Sequence, residues 1–342
     1  MDPLHTGLLV GLTYDLRDEY LKEGYSHDET AEFDKEETIA GIEEALRHAG
    51  YLTERIGHVR NLTKRLTQGN RWDIVFNIAE GMYGLAREAQ VPCLLDAFHI
   101  PYVFSDAVVL ALALHKGLTK HIIRDAGIPT ADFAEVRSTD DIAGIHIPFP
   151  LFVKPVAEGT GKGINEKSKV GSLFELKEAC TSLLNTYNQP VLVERYLPGR
   201  EFTVGIIGTG RDAQPSGIME VCFKKKGAPA IYGLDVKENY QDYTSYTVPE
   251  PDITRRCYKV ALDAWKILGC RDGGRVDLRL DERGIPNFIE VNPLAGLNYI
   301  HSDLPILSRL NGIEFDELIR RIMESALQRI PEYQHEENRH CL

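Results

Sequence analysis

Residues 275–292 read RVDLRLDERGIPNFIEVN, the pattern of a β-hairpin with chemistry on one face. Arg275, Asp277, Arg279 and Asp281 fall on one side of the first strand, and Val276, Leu278 and Leu280 on the other. That alternation belongs to a half-buried strand. DERG supplies the turn, with Gly284 free to take positive φ. A second strand over 285–292 places Ile285, Asn287, Ile289 and Val291 on one face and Phe288, Glu290 and Asn292 on the other. If Asp277 opposes Glu290, the same register sets Arg275 opposite Asn292. One face then holds two carboxylates, an amide and a guanidinium. Such a patch is either a cross-strand ion pair on a wet sheet face or a set of hard oxygen ligands for Mg²⁺, which is usually held together with substrate phosphates.

The rest of the chain narrows the choice. Its 342 residues suffice for two or three domains and a substantial core. A net charge of −12 argues against a nucleic-acid partner, although a local basic cleft remains compatible with a nucleotide. The six cysteines are scattered without a C-x-x-C pair, which disfavours a zinc site and a disulfide framework and fits a reduced, cytoplasmic setting. No apolar stretch approaches the roughly 20 residues that span a bilayer, and the N-terminal run lacks a basic flank or cleavage signal.

Periodicity divides the chain into three units: 1–105, 106–193 and 194–342. The first alternates strand and helix, with HTGLLVGLTYD and WDIVFNIAEG as buried strands, EETIAGIEEALRHAG and AQVPCLLDAFHI as helices, and PYVFS as a short strand. This is the pattern of an open parallel sheet, whose ligands sit at the carboxyl ends of the strands. The acidic stretch 17–37 has no apolar period and is expected to be a loop. The second unit is mixed α+β, with ALALHKGLTKHIIRDAGIP as a helix, then FPLFVKP and QPVLVERYL as strands. The third carries the long antiparallel strands and the hairpin.

Three motifs bear on chemistry. Lys154 ends a strand and VAEGTGKG follows, a run that either cradles phosphates with backbone N–H groups or is a flexible hairpin loop. It is not a Walker A motif, whose spacing is absent. VLVERYLPGREFTV is strand, interruption and strand; its exposed backbone could bind a purine edge and Glu201 a ribose, or Glu194 and Glu201 are solvated strand-end charges. Lys116 precedes a helix in an otherwise apolar run. No G-x-S-x-G elbow and no G-x-G-x-x-G after the first strand are present, which disfavours serine hydrolases and dinucleotide binding.

Taken in order, DAGIPT, VKPVAEGTGKG, VERYLPGREFTV, GRVDLRLDERG and EVNPLAG…HSDLP resemble the ATP-grasp fold, and more narrowly the D-alanine–D-alanine ligase family. The resemblance implies an N-terminal open parallel sheet domain plus two α+β subdomains clamping ATP. It implies that Lys116 and Lys154 contact ATP phosphates, that 158–163 closes over them with Glu158, Thr160, Gly161 and Lys162, and that Lys237 reaches them from a covering loop. Glu194, Tyr196 and Leu197 would hold adenine and Glu201 the ribose. Asp277, Glu290 and Asn292 would hold two Mg²⁺ ions, with Mn²⁺ as a substitute. Arg275 and the backbone N–H near Gly296 would stabilise a tetrahedral intermediate, and Ser302 would receive the second substrate's carboxylate.

Near the amino-acid pockets the chain departs from the family. Glu80 stands in place of a histidine, Glu37 is the candidate for the glutamate that binds the first ammonium, and Tyr240 or Tyr243 substitutes for a covering-loop tyrosine. The expected activity is ATP-dependent joining of two amino acids, D-alanine first, in a homodimer acting on small-molecule substrates in cell-wall biosynthesis. Ligation of another amino acid or amine, and a non-catalytic nucleotide-binding module, are the alternatives.

Overall fold

The computed structural model describes residues 7–223 and 244–331. Lys237, Glu238, Tyr240 and Tyr243 lie outside the described residues.

The first sheet is parallel, with strands β1 (Leu9–Thr13), β2 (Leu52–Gly57) and β3 (Ile74–Asn77) in the order β2-β1-β3. The helix Glu36–His48 connects β1 to β2 and buries Ile39, Ile42 and Leu46 on one face, the stripe seen in the sequence. Its first turn carries Glu36 and Glu37 and its last turn Arg47 and His48, each sign facing the favourable end of the helix dipole.

The second sheet is antiparallel and runs β4-β7-β5-β6, from β4 (Phe133–Val136), β5 (Leu151–Pro155), β6 (Lys169–Val170) and β7 (Val191–Arg195). The third runs β10-β9-β8-β11-β12, from β8 (Glu201–Ile207), β9 (Gln214–Phe223), β10 (Thr244–Thr247), β11 (Gly273–Leu280) and β12 (Pro286–Asn292). The helix Pro251–Leu268 covers one face of this sheet through Cys257, Ala261, Ala264 and Trp265. The helix Phe315–Gln328 turns back to the first sheet: Ile319, Ile322 and Met323 share a core with Val10, Leu12 and Phe76. The first sheet and the helix Phe315–Gln328 therefore pack together, and the parallel sheet is held beside the antiparallel ones.

Four local expectations need correction. The acidic stretch 17–37 is not a bare loop. It contains the helix Arg17–Lys22, and Arg17 donates to the carbonyls of Thr30 and Ala31 at 3.1 and 2.6 Å. Tyr20 and Phe33 bury against each other, with ring centroids 4.6 Å apart. A coil closed by side-chain-to-carbonyl bonds has no helical stripe to detect. The single helix expected through ALALHKGL is two, Ala107–Leu114 and Lys116–Asp125, broken at His115, whose Nδ1 caps the second by accepting from the Leu118 N–H. PYVFS forms only an isolated bridge, Val75 to Tyr102.

The fourth correction concerns the hairpin. Asp277 does oppose Glu290 and Arg275 opposes Asn292, but the register slips after Asp277, so Leu278 pairs with Phe288 and Ile289 is an extra residue. This bulge puts Phe288 in the core with Leu278 and Val291, on the opposite face from Glu290.

Candidate active site

The hairpin floor is held by its buried face, Val276, Leu278, Phe288 and Val291. On the other face the Arg275 guanidinium pairs with the Asp277 carboxylate and lies 3.7 Å from Asp303. Thr203 on β8 donates to Asp277 Oδ1 at 2.9 Å, and the Asn292 amide donates to Asp277 Oδ2 at 3.3 Å. Burial works against the Arg275 charge, but Asp277, Asp303 and Glu290 together hold its pKa above the ordinary value.

Two lysines, Lys116 and Lys154, face this floor, and a third, Lys120, shares a glutamate with Lys154. Lys116, first residue of its helix, donates to the Glu158 carbonyl at 2.5 Å and stands 3.5 Å from Glu290 Oε2. One turn on, Lys120 is fully buried and lies 2.6 Å from Glu194 Oε1, while Lys154 lies 2.9 Å from Glu194 Oε2. Burial alone would raise the Glu194 pKa, yet the two lysines hold it down at about 2. Lys154 stays above its ordinary value despite burial, through Glu194 and Glu290. Beyond Glu194 the chain passes from the second sheet to the third. There Tyr196 is flanked by Lys169 at 4.2 Å and Arg279 at 5.2 Å from its ring centre, and Arg279 also donates to Glu201 at 3.3 Å.

The glycine-rich loop bends through Thr160 and Gly161 at φ +53° and +81° and Gly163 at +74°. A Cβ on Gly163 would stand 2.6 Å from the Pro155 ring, so only glycine fits. The loop is latched to the N-terminal unit. Glu32 accepts from the Gly159 N–H at 2.6 Å with one oxygen and from Arg87 at 2.8 Å with the other, and Arg87 also donates to the Ala157 carbonyl at 2.9 Å. Within the loop Lys162 pairs with Glu158 at 2.8 Å.

Two cavities result. A narrow slot of ≈110 Å³ between the antiparallel sheets is lined by Lys116, Lys154, Glu158, Gly161, Lys162, Glu194, Tyr196, Leu197 and Glu201, with Arg275, Asp277 and Glu290 on its floor. A larger cavity of ≈570 Å³ lies toward the parallel sheet and is lined by Glu80, Thr160, Asn292, Gly296 and Ser302. The two meet at Lys116, Arg275, Glu290 and Asp303.

Most residues singled out in the sequence thus gather in one place, Thr160 and Asn292 on the larger cavity rather than the slot. Glu37 lines neither cavity; it is exposed in the first turn of its helix, 3.3 Å from the Asn298 amide. The neighbouring Glu32 and Asp34 are in the wall instead. Lys120, Arg87, Glu88, Arg279 and Asp303 were not singled out. Of these, Lys120 carries a signal, since four residues after Lys116 it shares that helix face.

A profile of the family described as D-ala D-ala ligase C-terminus matches residues 122–324. The D-alanine–D-alanine ligase of Marinobacter nauticus is 33% identical over 269 residues, 75% of this chain and 75% of the relative. This chain belongs to the D-alanine–D-alanine ligase family. The corresponding ligase of Aquifex aeolicus is 30% identical over 84% of this chain and 93% of its own length. Among solved structures, the Bacillus anthracis D-alanine–D-alanine ligase complexed with ATP superposes with a TM-score of 0.71 at 23% identity, covering 96% of this chain and 99% of that one. The Enterococcus faecalis D-Ala:D-Ser ligase gives 0.72 at 18% identity, covering 94% and 100%. The fold of this family member is therefore ATP-grasp, an N-terminal parallel sheet followed by two antiparallel sheets. Among the described residues no helix is long and apolar enough to cross a membrane.

Proposed function

We propose that this protein is an ATP-dependent carboxylate–amine ligase that joins two amino acids through an acyl phosphate, with D-alanine as the first candidate substrate. The observation that carries this reading is the meeting of the two cavities at Lys116, Arg275, Glu290 and Asp303. Phosphoryl transfer needs a nucleotide and an acceptor in line, and a slot and a larger chamber that touch only at these charges suit that requirement.

In the first step a substrate carboxylate oxygen bonds to the γ-phosphorus, and the bond to the β-phosphate oxygen breaks, leaving ADP with the electron pair. Lys116 and Lys154 offset the phosphate charge and hold the γ-phosphate toward the larger cavity. In the second step the neutral amine of the other substrate bonds to the carbonyl carbon. Arg275 and the N–H at Gly296 stabilise the oxyanion. The carbon–oxygen bond to phosphate then breaks, phosphate departs with the electrons, and the nitrogen gives up a proton. Ser302 receives the amine substrate's carboxylate. The 158–163 loop, latched by Glu32 and Arg87, excludes water that would hydrolyse the acyl phosphate.

Asp277, Glu290 and Asn292 would hold two Mg²⁺ ions, or Mn²⁺ in their place, which supply charge neutralisation on the phosphate oxygens. The donors fit: two carboxylates and an amide on one rigid hairpin face are hard oxygen ligands too few for a complete cage, which is the arrangement Mg²⁺ shares with phosphates. The family resemblance assigns Lys237, which lies outside the described residues, to the ATP phosphates. Glu194, Tyr196 and Leu197 form the adenine hinge, in which the Glu194 carboxylate acts through Lys120 and Lys154, and Glu201 takes the ribose. On this reading 1–105 is a substrate unit, 106–193 a small jaw and 194–342 the metal-bearing jaw of a cytoplasmic homodimer.

The test is phosphate release from ATP and Mg²⁺ with D-alanine, followed by other D- and L-amino acids, each product weighed by mass spectrometry. A product at the dipeptide mass establishes ligation. ATP binding with no phosphate release for any amino acid would leave a nucleotide-binding module.

A further inference from the structure

The wall of the larger cavity holds more carboxylates than the ligase chemistry uses. Glu32, Asp34, Glu80 and Glu88 all line it, on two segments that meet there, 31–35 and 80–88. Two of the four are already committed. Glu32 has one oxygen on Arg87 and the other on the Gly159 N–H. Asp34 is hydrogen-bonded to Thr38. Glu80 and Glu88 make no hydrogen bond and no ion pair within 4 Å among the described residues. Burial first, then the charges of Glu88, Glu32 and Asp34, oppose the ionisation of Glu80, while Arg87 favours it. The Arg87 guanidinium is taken up by Glu32 and the Ala157 carbonyl.

We propose that Glu80 and Glu88 are specificity-determining residues of this cavity, and that they receive a second ammonium group on the amino acid whose carboxylate is activated. This rests on the ligase reading. The activated substrate is then a diamino carboxylic acid, with D-alanine kept as the amine acceptor. Two carboxyls on one cavity wall that hold no ion pair of their own are costly as ions, and an incoming ammonium can pair with both. An alanine methyl would leave them unmatched. A cavity of ≈570 Å³ has room for the longer side chain beside the acyl phosphate. A divalent metal is the poorer occupant: no group of three or more His, Cys, Asp or Glu is placed to share one among the described residues, and such ions take about six oxygens. Burial holds Glu80 and Glu88 above the ordinary carboxylate range, and a bound ammonium would bring both back down.

The experiment uses the full chain with ATP and Mg²⁺. Initial rates of phosphate release are compared for alanine, 2,3-diaminopropionate, ornithine and lysine, in both enantiomers, with D-alanine as amine acceptor. Calorimetric binding of the same compounds is measured beside a non-hydrolysable ATP analogue. The expected result is kcat/KM at least tenfold higher for one diamino acid than for alanine of the same hand. That ratio should fall at least tenfold in Glu80→Gln and in Glu88→Gln, with the same ordering in the binding data. Nucleotide affinity and circular dichroism check that each variant is folded, and if neither folds the wild-type comparison decides. Alanine equal to or better than every diamino acid, in rate and in binding, overturns the proposal. So does a preference for uncharged polar side chains, in which case the two carboxyls act protonated, as donors. No phosphate release with any compound sinks the ligase reading instead, and the binding comparison still judges the two glutamates.

Discussion

Lys120 Nζ lies 2.6 Å from Glu194 Oε1, and both side chains are buried. The pair joins the helix Lys116–Asp125 to β7, and Lys120 also donates to Thr130 at 2.6 Å. Removing one member of a buried pair leaves an uncompensated charge, a loss of about 3–5 kcal/mol. Lys120→Met should therefore lower unfolding stability by about that amount, less whatever Lys154 recovers, measured by denaturant unfolding at pH 7. The Glu194 carboxylate sits at about 2 rather than 4.5, so its contribution is fully present above pH 4.5 and is lost as pH falls through 2. The variant's stability curve should be flatter than the wild type's in that window.

Arg275 separates binding from chemistry. Its guanidinium is anchored by Asp277 and Asp303 where the two cavities meet. Arg275→Met should lower kcat by about 10²–10³, the effect of removing one preorganised oxyanion donor, while ATP still binds by calorimetry. An unchanged kcat would remove Arg275 from the chemical step.

The latch predicts a coupling across units. Glu32→Gln keeps an acceptor for the Gly159 N–H but loses the ion pair with Arg87. Amide exchange across 158–163 should quicken and KM for ATP should rise severalfold, with the parallel sheet's exchange unchanged. Equal loop exchange in wild type and variant would mean that the loop is held by its own contacts.

Without substrate the protein should be less stable in base. Burial raises Glu88 from 4.5 to about 8 and Asp34 from 3.8 to about 7. Carboxyls raised in this way carry their full stability below the ordinary value and lose it as pH rises through the folded value. Thermal unfolding should fall between pH 5 and pH 8, the window these two values set. Glu88→Gln should raise Tm by a few degrees at pH 8 and hardly at all at pH 4.

The parts of the site that lie on strands were legible because alternation fixes which side chains share a face. Arg275, Asp277 and the opposition of Glu290 follow from period two and a turn. Glu32 and Arg87 were not, because their meeting joins two segments 55 residues apart in the chain, a long-range event with no local period. The coil 23–35 likewise hides that Glu32 enters the cavity wall, and the helix starting at Glu36 leaves Glu37 exposed. Phe288 was put on the wrong face because a bulge leaves no mark in residue identity.

That bulge has a consequence for how this hairpin tolerates change. A regular strand cannot present two consecutive side chains to the same side, yet Ile289 and Glu290 both line the slot. An apolar surface and a carboxylate are thereby set next to one another, on a ladder that is otherwise unbroken. Loss of the single codon for Ile289 would leave Phe288, Glu290, Val291 and Asn292 alternating without interruption, in a hairpin able to fold and to keep its core. The floor of the slot alone would be altered. Chain length at this point is thus constrained by the ligand and not by folding, so a deletion here would yield an intact protein with a damaged floor to its slot.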